Sequence, residues 1–147
     1  MSFTQPSPRP PARRFLLEDI EVRSSRAEGM SCRVLLRQGS EILAGNASTA
    51  DTGRTMIDVV AEATLLALAT AGESRAPLVL ESAQLLIAAG HRFVFVVVAA
   101  ALPRETVLLS GSAEVRDGVE LATVLATLDA TNRWLERERS ERARRTA

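Results

Sequence analysis

A chain of 147 residues holds about one domain's worth of core, and its 46% apolar content is ordinary for a globular fold. The 18 basic residues, all arginine, balance 18 acids, and the single cysteine, Cys32, excludes an internal disulfide and a Cys-based zinc cage. The longest apolar run, Phe93 to Leu102, falls well short of the roughly 20 residues that a membrane-spanning helix needs.

The N-terminal stretch carries Pro6, Pro8, Pro10 and Pro11 among arginines and has few core formers. Each proline removes a backbone donor and disfavours helix at its predecessor, so residues 1–14 are expected to form a disordered Pro/Arg-rich arm. With no apolar segment behind the arginines it does not read as a signal peptide, and the expected location is cytoplasmic. Phe15 to Arg23 alternates around Leu17, Ile20 and Val22 as a first strand. Glu28-Gly29 turns the chain into a second strand, Ser31 to Arg37. Gln38-Gly39-Ser40 turns it into a third, Glu41 to Ser48. The period then changes: Ile57, Val60, Ala61, Thr64, Leu65 and Leu68 form one stripe of a helix that Gly72 is placed to end.

The second half repeats this order. Strands are expected at Pro77 to Ala88, His91 to Leu102 and Glu105 to Arg116. Asp117-Gly118-Val119-Glu120 has the spacing of a capping box, and Leu121, Val124, Leu125, Leu128, Asn132 and Leu135 form a second helical stripe. Leu17-Glu18-Asp19 matches Leu80-Glu81-Ser82, and Ala63-Thr64-Leu65 matches Ala126-Thr127-Leu128, both at an offset of 63; Gly45 matches Gly111 at 66. The expectation is an α+β fold of two pseudo-symmetric βββα repeats, residues 15–72 and 77–137. Their six strands should form one antiparallel sheet with both helices on one face, because a lone repeat has too small a core. Residues 138–147 read as a polar Arg/Glu-rich tail, and both ends as dispensable for folding.

Few chemistries fit these residues. His91 is the only histidine, so neither a His-based triad nor a His metal cluster can form, and no cofactor or metal is expected. Cys32, in a strand with no base nearby, reads as an inert core residue. Asp51-Thr52-Gly53 has the triplet of aspartic proteases, but it follows polar Ser48-Thr49, precedes a helix and has no counterpart in the second half; a turn or cap role is favoured. Asp129, Asn132 and Arg133 lie together on the last helix, by default a solvated face. Between the arginine-rich ends the body carries nine arginines against fifteen acids, the wrong balance for phosphate.

The tandem order, with Gly45 before Val60-Ala61-Glu62-Ala63 and Gly111 before Leu125-Ala126-Thr127, resembles the C-terminal regulatory domain of 2-isopropylmalate and citramalate synthases. That resemblance implies a domain that binds an amino-acid end product and makes dimer contacts. The chain has no catalytic barrel, and its strand-to-helix links lack a Gly-Pro-rich effector loop. The strand–strand–helix ends are also similar to double-stranded-RNA-binding domains. Those need basic helix N-termini, and here the two helix starts hold one arginine against two acids, which argues against nucleic acid.

The functional expectation is therefore a non-enzymatic, dimerising regulatory domain that binds a small metabolite such as an amino acid. The alternative is a scaffold or adaptor that binds a protein partner through its arginine-rich ends; an RNA-binding protein ranks lower. Candidate ligand residues sit around the two strand-to-helix links and between the helices: Asn46, Asp51, Thr64, Ser112 and Thr127. For Thr64 and Thr127 a hydroxyl bonded back to its own helix is favoured, with the ligand-lining role as the sharper alternative. The dimer surface is expected on one parity of Phe93, Val94, Phe95, Val96, Val97 and Val98. A sheet with one wet face should alternate, and this strand is apolar on both.

Overall fold

The structure, a computed structural model, describes residues 15–50 and 53–146. The arm expected at 1–14 and the candidate Asp51 lie outside the described residues. Eight elements follow in the anticipated order: β1 (Leu16–Ser25), β2 (Gly29–Gln38), β3 (Glu41–Thr49), α1 (Met56–Ala69), β4 (Leu78–Ala88), β5 (His91–Ala101), β6 (Thr106–Glu114) and α2 (Val119–Thr146). The protein is α+β and is built of two βββα repeats.

The strands do not join into the single six-stranded sheet expected from the sequence. They pair as two antiparallel sheets, β1-β2-β3 and β4-β5-β6, each with its helix on one face. Strands β1 and β4 each carry a bulge, at Leu17/Asp19 and Leu80/Ser82, so the text shared at offset 63 is the same irregularity used twice. A bulge bends and twists its strand, which makes it a poor template for a further one. The repeats are joined through the helices instead: α1 packs on β2 and β3 and also on β4, α2 packs on β6 and β5 and reaches β1, and the helices touch each other. Between the sheets each helix consequently opens to solvent mainly along one narrow stripe, Asp58, Glu62, Leu66 and Ala69 on α1 and Leu125, Asp129 and Arg133 on the first part of α2, whereas the far end of α2, from Ser140 to Thr146, is exposed all round.

The alternation of the strands divides core from surface. Cys32, Val34 and Leu36 of β2 face α1, and the equivalent Val94, Val96 and Val98 of β5 are fully buried in the second repeat. Each such side chain taken from water contributes about 1.5–3 kcal/mol. At the register partners of Val34 and Val96 stand Gly45 and Gly111. A Cβ on Gly45 would lie 2.0 Å from the Ala63 carbonyl oxygen, and one on Gly111 would lie 2.2 Å from the Ala130 nitrogen. Each helix thus rests its backbone on a glycine of its own sheet.

Helix α1 starts on a capping box in which the Thr55 hydroxyl accepts from the Asp58 N–H at 3.3 Å and the Asp58 carboxylate accepts from the Thr55 N–H at 2.9 Å. At the Asp117–Glu120 start of α2, the helix begins directly after Gly118, whose φ is +108°. The α2 helix runs on through the segment read as a tail. Arg139 donates to Glu73 at 2.7 Å, Arg142 donates to the carbonyls of Gly72 and Glu73 at 3.2 and 3.1 Å, and the Trp134 indole N–H donates to Ser74 at 3.3 Å. Gln38 reaches the same Glu73 at 2.8 Å. The last turns of α2 therefore clamp the α1–β4 link. Truncation after Arg137 is expected to lower stability by about 1–2 kcal/mol, since hydrogen bonds to a half-buried charged group are lost together. Thermal unfolding of the shortened chain measures this, and an unchanged midpoint would mean the clamp contributes nothing. No helix among the described residues is long and apolar enough to cross a membrane.

Candidate functional site

The outward faces of the two sheets come from equivalent positions and have opposite character. On the first sheet the central row is Ser31, Arg33, Leu35 and Arg37, flanked in register by Asp19, Glu21 and Arg23 on β1 and by Ala44, Asn46 and Ser48 on β3. On the second, the central row is Phe93, Phe95, Val97 and Ala99.

An open depression of about 470 Å³ lies on the first face, lined by Glu21, Arg23, Ser31, Arg33, Asn46 and Ser48, with Cys32 and Ala47 contributing to its floor. Twist of a three-stranded antiparallel sheet gives such a face its concavity. The charges in it are unevenly used. Glu21 accepts from Arg23 Nε at 2.7 Å, and further along the sheet Glu18 accepts from Arg37 at 2.7 Å. Arg33 lies between Glu21 and Asn46 in the register, yet forms no side-chain hydrogen bond or ion pair among the described residues. The depression thus gathers an uncommitted guanidinium, an amide, two hydroxyls and an ion pair whose carboxylate has acceptor capacity left. That set suits a small polar molecule carrying an acidic group.

The four singled-out residues that lie within the described residues do not converge. Asn46 lines the depression. Ser112 holds the equivalent position after Gly111, but on the other sheet, where its N–H donates to the Asp129 carboxylate at 3.0 Å. Thr64 and Thr127 are fully buried, and each donates to its own helix, to the carbonyls of Val60 and Thr123 at 2.8 Å. Thr123 and Thr131 repeat that bond on α2, so the threonine column satisfies its hydroxyls within the helix. The residues that sequence reasoning missed, Glu21, Arg23, Ser31, Arg33 and Ser48, carry one faint signal: the polar parity of β2, which repeat two replaces by an apolar one.

Cys32 is buried, and burial pushes its thiol up to about 11, so it stays protonated and unreactive near neutral pH. At one end of the second sheet the Arg116 guanidinium, 2.8 Å away, holds the Glu114 carboxyl below its ordinary range, and His91 at 3.0 Å adds to that. Among the described residues no three His, Cys, Asp or Glu side chains gather as metal ligands. A smaller, mainly apolar hollow of about 200 Å³ lies under the α1–β4 link between Leu65, Leu68, Pro77 and Leu135. No family model matches the chain and no curated protein matches it, so the site rests on its own geometry.

Proposed function

We propose that the chain is a non-enzymatic, dimerising regulatory domain that takes a small polar metabolite, such as an amino acid or short-chain acid, on the outer face of its first sheet. The observation that carries this reading is the uncommitted Arg33 in a depression of about 470 Å³. Arg33 would take an acidic group, with Asn46, Ser31 and Ser48 supplying neutral hydrogen bonds and Glu21 an acceptor for an ammonium. The set holds no activated nucleophile: the one thiol is buried and protonated, and the one histidine lies on the other sheet.

A thermal-shift screen of amino acids and short-chain acids tests it. A ligand at 100 times its dissociation constant should add about 2.7 kcal/mol. Arg33→Gln should remove that gain while leaving the unliganded midpoint within about 0.5 kcal/mol of wild type, since Arg33 is exposed and holds nothing in place. A panel without a single hit, or a hit indifferent to Arg33→Gln, counts against the site. The adaptor reading has one observation in its favour: Arg137, Arg144 and Arg145 stand exposed on the far end of α2. Pull-down of an acidic partner that needs those arginines, with no ligand shift, would favour it.

A further inference from the structure

We infer that a second copy of this chain covers the outer face of the β4-β5-β6 sheet, packing like face on like face about a twofold axis. This specifies the surface behind the dimerisation proposed above. Both sheets are the same βββ unit with the same bulge and the same glycine under the helix, so repeat one shows which outward residues that unit can do without. At the outward positions of the central strand repeat one has Ser31, Arg33, Leu35 and Arg37; repeat two has Phe93, Phe95, Val97 and Ala99. Where repeat one has Arg23 on its first strand, repeat two has Leu86. The fold tolerates two arginines down the middle of that face, so folding alone does not call for the two phenylalanines. Something outside the monomer does.

The face is left open by its own chain. The helices lie on the opposite side, against Val94, Val96 and Val98. Val79 is 52% exposed, Leu86 41% and Leu108 63%, and Phe93 and Phe95 are only half-buried. This is a continuous apolar patch of the kind that marks an interaction surface.

Three features select a second copy as the occupant. First, the central apolar row is flanked on both sides by neutral polar residues, Ser82 and Gln84 on β4, Ser110 and Ser112 on β6, and its acids stand only at the margins, Glu81 at the β4 bulge and Glu114 at the other end, so the middle of the face brings no charge bias that would fit an oppositely charged partner. Second, its ionisable end, His91 and Glu114, is already engaged together with Arg116, so the Glu114 carboxylate does not meet its own image uncompensated. Third, the size fits. Three strands of about ten residues, at about 3.3 Å per residue and 4.8 Å between strands, present about 470 Å² in projection. Two such faces, before the relief of the side chains is added, bury close to the roughly 1,000 Å² that a specific contact needs. An isologous contact uses one patch twice, and aligned sheet-on-sheet packing at about 10 Å would interdigitate the two Phe93–Phe95–Val97 rows.

The test borrows repeat one's own residues. Phe95→Arg installs in β5 what β2 carries at Arg33, and Leu86→Arg installs in β4 what β1 carries at Arg23. Light scattering and sedimentation of the full chain at micromolar concentration should report a dimer for wild type and monomers for both variants, with unchanged far-UV circular dichroism. Leu35→Arg, on the outward face of the first sheet, should remain a dimer. Should Phe95→Arg fail to fold, Leu86→Arg decides alone, because Leu86 is already exposed in the monomer. A monomeric wild type overturns the inference, and so does a dimer that survives a folded Phe95→Arg or Leu86→Arg. The ligand reading fails separately: its thermal shift is measured on the monomeric variant, whose first sheet is untouched.

Discussion

Replacing Gly111 by valine is expected to abolish cooperative folding, and Gly45→Val is expected to do the same. In each repeat the helix backbone sits on the glycine. A Cβ at Gly111 would be 2.2 Å from the Ala130 nitrogen and 2.4 Å from the Ala126 carbonyl oxygen. At Gly45 the distances are 2.0 Å to the Ala63 carbonyl oxygen and 2.4 Å to the Ala67 nitrogen. These are backbone atoms inside a hydrogen-bonded helix, so no rotamer change relieves the clash; the whole helix must lift from the sheet. Overpacking a core by small groups costs about 1–3 kcal/mol, occasionally more, and displacing a helix belongs at or above the top of that range. Even Gly45→Ala and Gly111→Ala should lose most of a domain stability of about 5–15 kcal/mol. Gly90→Ala is the control, because that glycine has φ +76° and nothing within 4 Å of an added Cβ. It should cost only the left-handed backbone penalty, about 1–2 kcal/mol. Urea unfolding followed by circular dichroism separates these cases, and a Gly111→Ala protein as stable as Gly90→Ala would overturn the close-packing account.

The other large effect belongs to the core parity of β5. Val96→Glu should leave the chain unfolded, whereas Val97→Glu, one residue on, should leave a folded protein. Val96 is 0% exposed, lies between Ala83 and Gly111 in the register beneath α2, and belongs to the apolar core. Burying an unpaired carboxylate costs several kcal/mol even after the group protonates and the structure relaxes. The side chain at 97 points the opposite way, since successive strand residues alternate faces. A cooperative melt for Val96→Glu would mean that the sheet has slipped register or that the core is wetter than its burial indicates.

The repeat was legible in the sequence because it left literal text behind. Leu17-Glu18-Asp19 and Leu80-Glu81-Ser82 are the two bulges, and the alanines of Ala63-Thr64-Leu65 and Ala126-Thr127-Leu128 are the ones against the glycines. Candidate ligand residues were less legible. Asn46 lies in the depression, but Arg33, which gives that depression its chemistry, stood in the sequence as one of 18 arginines. Its partnerless state depends on Glu21 turning to Arg23 instead, a choice between neighbours that no spacing records. Thr64 and Thr127 hold equivalent positions, which offered facing hydroxyls as the lesser reading beside the favoured bond back to each residue's own helix. A threonine inside a helix has an acceptor one turn back, and both use it.

What the sequence determined by itself is the set of elements and their order, since strand and helix are written in local periods of 2 and 3.6 residues that need no knowledge of distant partners. It also determined that one strand, Phe93 to Val98, would have two apolar faces. Which parity turns inward was decided only in the tertiary structure, where the glycine seat at Gly111 draws α2 onto the side of Val94, Val96 and Val98. Tertiary structure likewise decided that six strands make two sheets, and that residues 138–146 belong to α2. These outcomes depend on contacts between the repeats: α1 on β4, and the arginines of α2 on the link at Gly72 and Glu73. The arginine bonds join residues 66 to 70 positions apart through side chains, and no local pattern encodes that pairing.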